Sequence, residues 1–253
     1  MTRGEAQYMM SQIALITKGI DVKEPLRITY DFKFHNAVGK SFEMLLDKES
    51  LSLMREQGKD RPDWARLEFH QCSNCPLNKT LLPYCPVALH MALITQEFKD
   101  VTAADRVTVT VTVKERQYSK VTSMQEGLSP LLGIIMTTCG CPVMEPLKPM
   151  VRYHLPFASL DETVFRMITM YLMAQFLRNQ AGKQPEWTLD GLAKIYGEVK
   201  KLNRDFGQRM IAASQSDANV RALVKLNVFA VMVPLEAEKI LKEIAPNFSA
   251  YLK

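Results

Sequence analysis

Between Arg27 and Phe34 apolar and polar residues alternate: Ile28, Tyr30, Phe32 and Phe34 are separated by Thr29, Asp31 and Lys33. A period of two sends alternate side chains to opposite faces of a pleated chain, so this stretch predicts a half-buried β-strand. The turn-forming residues His35 to Gly39 follow, and Ser41 to Leu46 returns as a second strand, which predicts a hairpin. Asp47 to Met54 reads as the end of that strand or a short helix. Arg106 to Lys114 has the strictest alternation, with Val107, Val109, Val111 and Val113 on one side and Thr108, Thr110 and Thr112 on the other. It predicts a third strand in one small antiparallel sheet.

Elsewhere the apolar period lengthens towards 3.6. Pro86 suits the first turn of a helix running through Phe98, with Met91, Ile94 and Phe98 at helical spacing. Leu128 to Thr137 predicts a short buried helix stopping at Cys139-Gly140-Cys141-Pro142. Ser159-Leu160-Asp161-Glu162 has the form of a capping box, in which the serine hydroxyl and the glutamate each satisfy an orphan amide. Behind it Val164, Phe165, Ile168, Tyr171, Leu172 and Phe176 form an apolar helix ending near Gly182. Thr188 is expected to cap the next, with Leu192, Tyr196, Val199, Leu202, Phe206 and Met210 along one face. A further helix is expected from Ser216 to Val233, broken or kinked by Pro234, and a last one from Leu235 to Ile244.

The fold class is therefore α+β: a small antiparallel sheet of at least three strands in the N-terminal half and a helical bundle in the C-terminal half. The expected organisation is a weakly ordered or helical leader over 1–24, an α+β portion over 25–158 and a helical portion over 159–253. The last two are expected to form one continuous unit, with no internal repeat.

Composition bounds this picture. A chain of 253 residues, 47% hydrophobic and 23% charged, can bury a sizeable core. The solid apolar run Leu131 to Met136 is far shorter than a bilayer span, and the N-terminal apolar stretch is too short for a signal peptide. The expectation is a cytoplasmic protein with no membrane partner. A net charge of +5 without any block of like charges reads as a solvated surface, so a nucleic-acid partner is not expected and a protein partner is left open.

A cytoplasmic setting keeps thiols reduced, which turns attention to the five cysteines. They fall in two groups: Cys72-Ser73-Asn74-Cys75-Pro76 with Cys85-Pro86, and Cys139-Gly140-Cys141-Pro142. A Cys-x-x-Cys loop can point two thiolates at one ion. Cys85 offers a third donor, and Cys141, which shares the proline neighbour, is favoured over Cys139 as the fourth. The expected ligand set is Cys72, Cys75, Cys85 and Cys141, with His70 in reserve. Zinc is favoured as the metal and an iron–sulfur cluster is the alternative. A closed four-thiolate zinc site would be structural. The competing reading is five buried or free thiols. Proline after Cys75 argues against a thioredoxin-like redox motif.

Arg152-Tyr153-His154 offers a cation and an imidazole, which as an enzyme site would bind an anion and move a proton. No partner carboxylate stands at a diagnostic spacing, and packing across the core is the favoured reading. There is no phosphate loop, dinucleotide fingerprint, His-Glu-x-x-His or Gly-x-Ser-x-Gly.

Several motifs taken together carry a resemblance. Cys72-Ser-Asn-Cys75-Pro-Leu, Tyr84-Cys85-Pro-Val-Ala88, Gly127-Leu-Ser-Pro-Leu-Leu-Gly133, Gly140-Cys141-Pro142, Pro149-Met-Val-Arg-Tyr-His-Leu-Pro-Phe-Ala-Ser159 and Tyr171-Leu-Met-Ala-Gln175 resemble an uncharacterised bacterial protein family, a domain of unknown function. The resemblance covers about Leu26 to the C-terminus and implies no activity. Cys72, Cys75, Cys85 and Cys141 match its motif positions and Cys139 lies outside them. The function expected is that of a non-enzymatic regulatory or interaction module with a four-cysteine metal site. An iron–sulfur sensor, or an enzyme centred on Arg152 and His154, are the alternatives.

Overall fold

A computed structural model describes residues 24–35, 39–54, 61–213 and 217–253. Strands β1 (Leu26–Phe34), β2 (Gly39–Leu46), β3 (Arg106–Val113) and β4 (Arg116–Ser123) form one antiparallel sheet in the order β2-β1-β3-β4. The register aligns the apolar positions: Tyr30 lies between Phe42 and Val111. One face therefore presents Ile28, Phe32, Met44, Val107 and Val109 to the core, all buried, while the intervening threonines and charges face outward. Phe32, Phe42 and Phe98 meet at ring-centroid distances of 5.1 to 6.0 Å. Such pairs contribute about 0.5–1.5 kcal/mol each beyond the area they bury.

The fourth strand is additional to the three expected. Arg116–Ser123 has no apolar alternation because β4 is an edge strand, half in water, with only Thr122 fully buried. The segment 47–54 is neither a longer strand nor a helix. Asp47 accepts hydrogen bonds from Ser50, and Leu53 forms an isolated bridge to Leu46.

Five α-helices are described: α1 (Pro86–Glu97), α2 (Met124–Thr138), α3 (Leu160–Gln180), α4 (Asp190–Ala212) and α5 (Asp217–Ile244). Helix α2 lies across the apolar face of the sheet. Gly127 makes this possible: a Cβ there would sit 2.6 Å from Val109 Cγ2 and 3.3 Å from Phe32 Cε1. Helices α3 and α4 pack with α2 around α5, and the sheet and helices share one continuous core.

The capping box forms as expected, with Ser159 Oγ accepting from the Glu162 amide and Glu162 Oε2 accepting from the Ser159 amide. Thr188 does not cap α4; the N-cap is Leu189, and the Thr188 hydroxyl instead donates to Asp190 and Glu186. Nor does Pro234 end a helix. Helix α5 runs through it, and buried Ala230, Val233, Ala237 and Ile240 lie on both sides of it. Packing of that continuous face offsets the one backbone hydrogen bond that proline forfeits. Proline 130 is likewise carried inside α2.

The stretch Ala218–Tyr251 also qualifies the expectation about membranes. By length and composition it is long and apolar enough to cross one, an 18-residue window within it having mean hydropathy 1.4. A short-run criterion overlooks it because charged residues punctuate the apolar ones. The expected leader lies, apart from Glu24, outside the described residues.

Candidate metal centre and the adjoining cavity

The loop Cys72–Cys75 lies along one side of α4. Spacing on that helix of four, three and four residues brings Glu198, Leu202, Asp205 and Arg209 to one stripe. The first three meet the cysteine loop, and Arg209 holds the chain just before it. The Asn74 carboxamide donates to Glu198 Oε2 at 2.8 Å and to its carbonyl at 3.0 Å. The Cys72 thiol points at the Leu202 carbonyl, 4.0 Å away. Ser73 donates from both its amide and its hydroxyl to Asp205 Oδ2.

Arg209 completes the stripe and is 1% exposed. Its Nη1 donates to the carbonyls of Trp64 and Arg66, and its Nη2 to that of Leu67. Among the described residues it has no carboxylate partner, and its Nε is buried without an acceptor. The groups that favour its charge are Cys85, Cys72 and Cys75. A buried cation needs a nearby anion or it forfeits much of its solvation energy. The sulfurs are the groups placed to be that anion.

The cysteines from both parts of the chain come within electrostatic reach of one another. Burial pushes the Cys72 thiol up to about 12, and Cys85, Cys75 and Cys141 add to that rise. Cys141 is pushed up to about 11, again mainly by burial, with Cys85 and Cys75 contributing. Cys85 is raised by burial too, while Arg209 opposes the rise. Left alone, these thiols stay protonated near neutral pH.

Two cysteine–proline pairs share a further feature. Cys85 occupies the N-cap of α1 with Pro86 in the first turn. The amides of Val87 and Ala88 favour its thiolate, although no side-chain capping hydrogen bond forms. At Cys141 the amides of Val143 and Met144 act in the same way. In both, the residue after the cysteine is proline, which has no N–H, so the second and third amides are the ones presented to the sulfur.

Cys139 and His70 stand differently. Cys139 is the C-cap of α2 and its thiol donates to the Met136 carbonyl at 3.7 Å. Gly140, at φ +94°, then reverses the chain between Cys139 and Cys141, a conformation that favours glycine. His70 is exposed and packs edge-on against Phe69.

Among the described residues, no three His, Cys, Asp or Glu side chains are disposed to grip one ion as they stand. The donor set and the charge balance nevertheless suit a metal. Cys72, Cys75 and Cys85 lie within electrostatic reach of the buried Arg209 and Cys141 within reach of Cys75 and Cys85, and binding would replace their protons by an anionic thiolate shell that this cation offsets.

Arg152 and His154 are not brought together as a site. Arg152 is exposed and donates to the Lys48 carbonyl at 2.8 Å. His154 Nε2 lies 2.5 Å from the hydroxyl of fully buried Tyr30. Burial lowers the His154 pKa to about 3, and Arg166 adds to the fall. His154 is thus a neutral imidazole at neutral pH.

His154 borders a partly open cavity of about 580 Å³ enclosed by α2, α3, α4, α5 and the 3-10 segment Glu145–Val151, which begins a few residues after Cys141. Helix α4 divides the two regions. Its Glu198–Arg209 stripe faces the cysteine loop, and Tyr196, Val199 and Asn203 line the cavity. Neither Arg209 nor Asn203 stands out from motif searching. Their signal is weaker: each is a polar residue set into the apolar stripe Leu202, Phe206, Met210.

Residues 28–249 match the model of a domain of unknown function (DUF6901), and the chain belongs to that family. No curated protein and no solved structure matches it.

Proposed function

We propose that Cys72, Cys75, Cys85 and Cys141 hold one zinc ion, and that this centre is structural. Its role is to staple the β-containing front of the chain to the helical back, giving a stable regulatory or interaction module that works in the cytoplasm. The observation that carries the reading is Arg209: a fully buried guanidinium without a carboxylate, whose favourable electrostatic partners are three of the four proposed ligands. Zinc supplies charge and four bonds, and needs no open coordination position here. Its binding free energy, of order 10 kcal/mol or more, would add to folding.

Metal analysis and the visible spectrum of anaerobically purified protein test this. The expected result is a colourless protein with one zinc per chain. Cys75→Ser should lose the metal together with much of the thermal stability, while Cys139→Ser should retain both. Iron with sulfide and broad absorption in the visible would replace zinc by a cluster. Metal-free protein that folds with full stability in the presence of a chelator would overturn the reading.

A further inference from the structure

The cavity beside α4 carries features that packing alone does not use. Its walls are mainly apolar, with Leu147, Val151, Met167, Val199, Leu226 and Phe229 among them. At about 580 Å³ it falls within the size range of small-molecule pockets. Set into these walls are polar groups with unmet bonding capacity.

Asn203 is 4% exposed, and its carboxamide forms no hydrogen bond among the described residues; its Oδ1 is buried without a partner. A buried carboxamide left so is costly unless another molecule meets it. Arg166 donates from Nη2 to the carbonyls of Met150 and Tyr153, at 2.9 and 3.0 Å. That leaves its Nη1 and Nε donors unused, and among the described residues it forms no ion pair. Tyr196 and His154 border the same cavity, both within electrostatic reach of Arg166.

The charges around the cavity set the sign of its occupant. Glu126 accepts from both Thr122 and Lys225. Glu162 is committed to the Ser159 amide. Lys120 lies over the Phe157 ring, 6.0 Å from its centre, and forms no ion pair among the described residues. The lining thus sets three cations, Arg166, Lys120 and Lys225, against two carboxylates, Glu126 and Glu162, a surplus of one positive charge. A single anionic head suits this balance. A dianion would exceed that surplus and face the two carboxylates.

We propose that this cavity binds an amphipathic monocarboxylate, with its carboxylate on Arg166 and Asn203 and its apolar body against the wall formed by Val151, Met167, Val199 and Leu226. With Nη2 engaged by two carbonyls, the carboxylate takes a single charge-assisted N–H from Arg166, from Nη1 or Nε. Asn203 Nδ2, which has no acceptor among the described residues, supplies a further donor, while its Oδ1, an acceptor, stays turned from the carboxylate. The apolar remainder is held by removal of its surface from water. This reading is independent of the metal centre and stands whether or not zinc is bound.

Calorimetric titration of the full-length chain with octanoate, octan-1-ol and octyltrimethylammonium tests it. Octanoate should bind one to one and at least about tenfold more tightly than either comparator. Arg166→Gln should remove that preference while leaving octan-1-ol binding unchanged. Because Arg166 also ties two carbonyls, its folding is checked by thermal melting. If that variant does not fold, Asn203→Leu and Ala158→Trp carry the test. Asn203→Leu should weaken octanoate selectively, and Ala158→Trp, at a half-buried loop position on the cavity wall, should block all three ligands. The proposal is overturned by absence of saturable octanoate binding, by equal affinity for the cation, or by octanoate affinity that Ala158→Trp does not change.

Discussion

Ser73 donates twice to Asp205, from its amide at 2.8 Å and from its hydroxyl at 2.6 Å, both to Oδ2. Residues 132 positions apart in the chain are thereby joined, and the cysteine loop is held to the middle of α4. The carboxylate also accepts from Arg204 Nε at 2.8 Å. Burial raises the Asp205 pKa, but Arg204 and the two Ser73 donors outweigh it and hold the carboxyl at about 2. Its folded pKa is therefore below the ordinary value of 3.8. The stabilisation it brings is complete above that value and is lost as pH falls towards 2. Asp205→Ala should cost about 1–3 kcal/mol at neutral pH, because the charge-assisted bonds are lost and the Ser73 donors are left to water. Urea unfolding of the variant and parent at neutral pH and at pH below 3 measures this, and the difference should shrink in acid.

Arg209 should be among the least replaceable side chains. Arg209→Met leaves the carbonyls of Trp64, Arg66 and Leu67 without their donors and should cost about 2–4 kcal/mol. Arg209→Lys keeps the charge, but an ammonium on a flexible stem cannot span three carbonyls as the planar fork does, so it should recover only part of the loss. Chemical unfolding orders the three proteins. If zinc is bound, competitive chelation should find the methionine variant releasing metal more readily than the lysine variant.

His154 predicts an acid limb of different origin. Its folded pKa, about 3, lies below the ordinary 6.5 because the imidazole is buried against Tyr30. The neutral form is favoured in the folded state, so stability is fully present above about 6.5 and declines as pH falls from there towards 3. The slope from this one group is at most about 1.4 kcal/mol per pH unit. Unfolding free energies measured from pH 7 to pH 4 should decline in this window. His154→Gln should flatten that part of the profile, though at lower stability near neutral pH.

Gly127 and Gly197 should respond in opposite directions to alanine. At Gly127 the new methyl would stand 2.6 Å from Val109 Cγ2, and α2 must lift from the sheet or Val109 must move. A cost of about 1–3 kcal/mol is expected. Gly197, exposed within α4, has nothing within 4 Å of the added carbon. There alanine should stabilise by about 0.5–1 kcal/mol through helix propensity. Thermal melts of the two single variants compare them directly.

The alternating residues of β1 and β3 declare their strands because each strand buries one face, and Ser159 with Glu162 declares the start of α3 because both partners lie within one turn. These are local relationships, and a linear reading reaches them. Strand β4 escapes such a reading because an edge strand is solvated on much of its surface and has little reason to alternate. The passage of α5 through Pro234 escapes it as well, because only the packed faces of neighbouring helices outweigh proline's local penalty.

At the candidate site the division is the same. Cysteine types, the Cys-x-x-Cys spacing and the repeated Cys-Pro pairs are properties of the chain, and they single out Cys72, Cys75, Cys85 and Cys141 before any folding. That Arg209 is buried beside three of them, that Asp205 and Glu198 grip their loop, and that Asn203 and Arg166 meet at one cavity are consequences of how α4 is placed. Sequence alone determined the local periodicities, the Ser159–Glu162 cap and the inventory of donors, since those depend on neighbours a few residues away. Tertiary structure decided which distant groups share a low-dielectric interior, where a lone guanidinium or carboxamide without a partner becomes energetically significant.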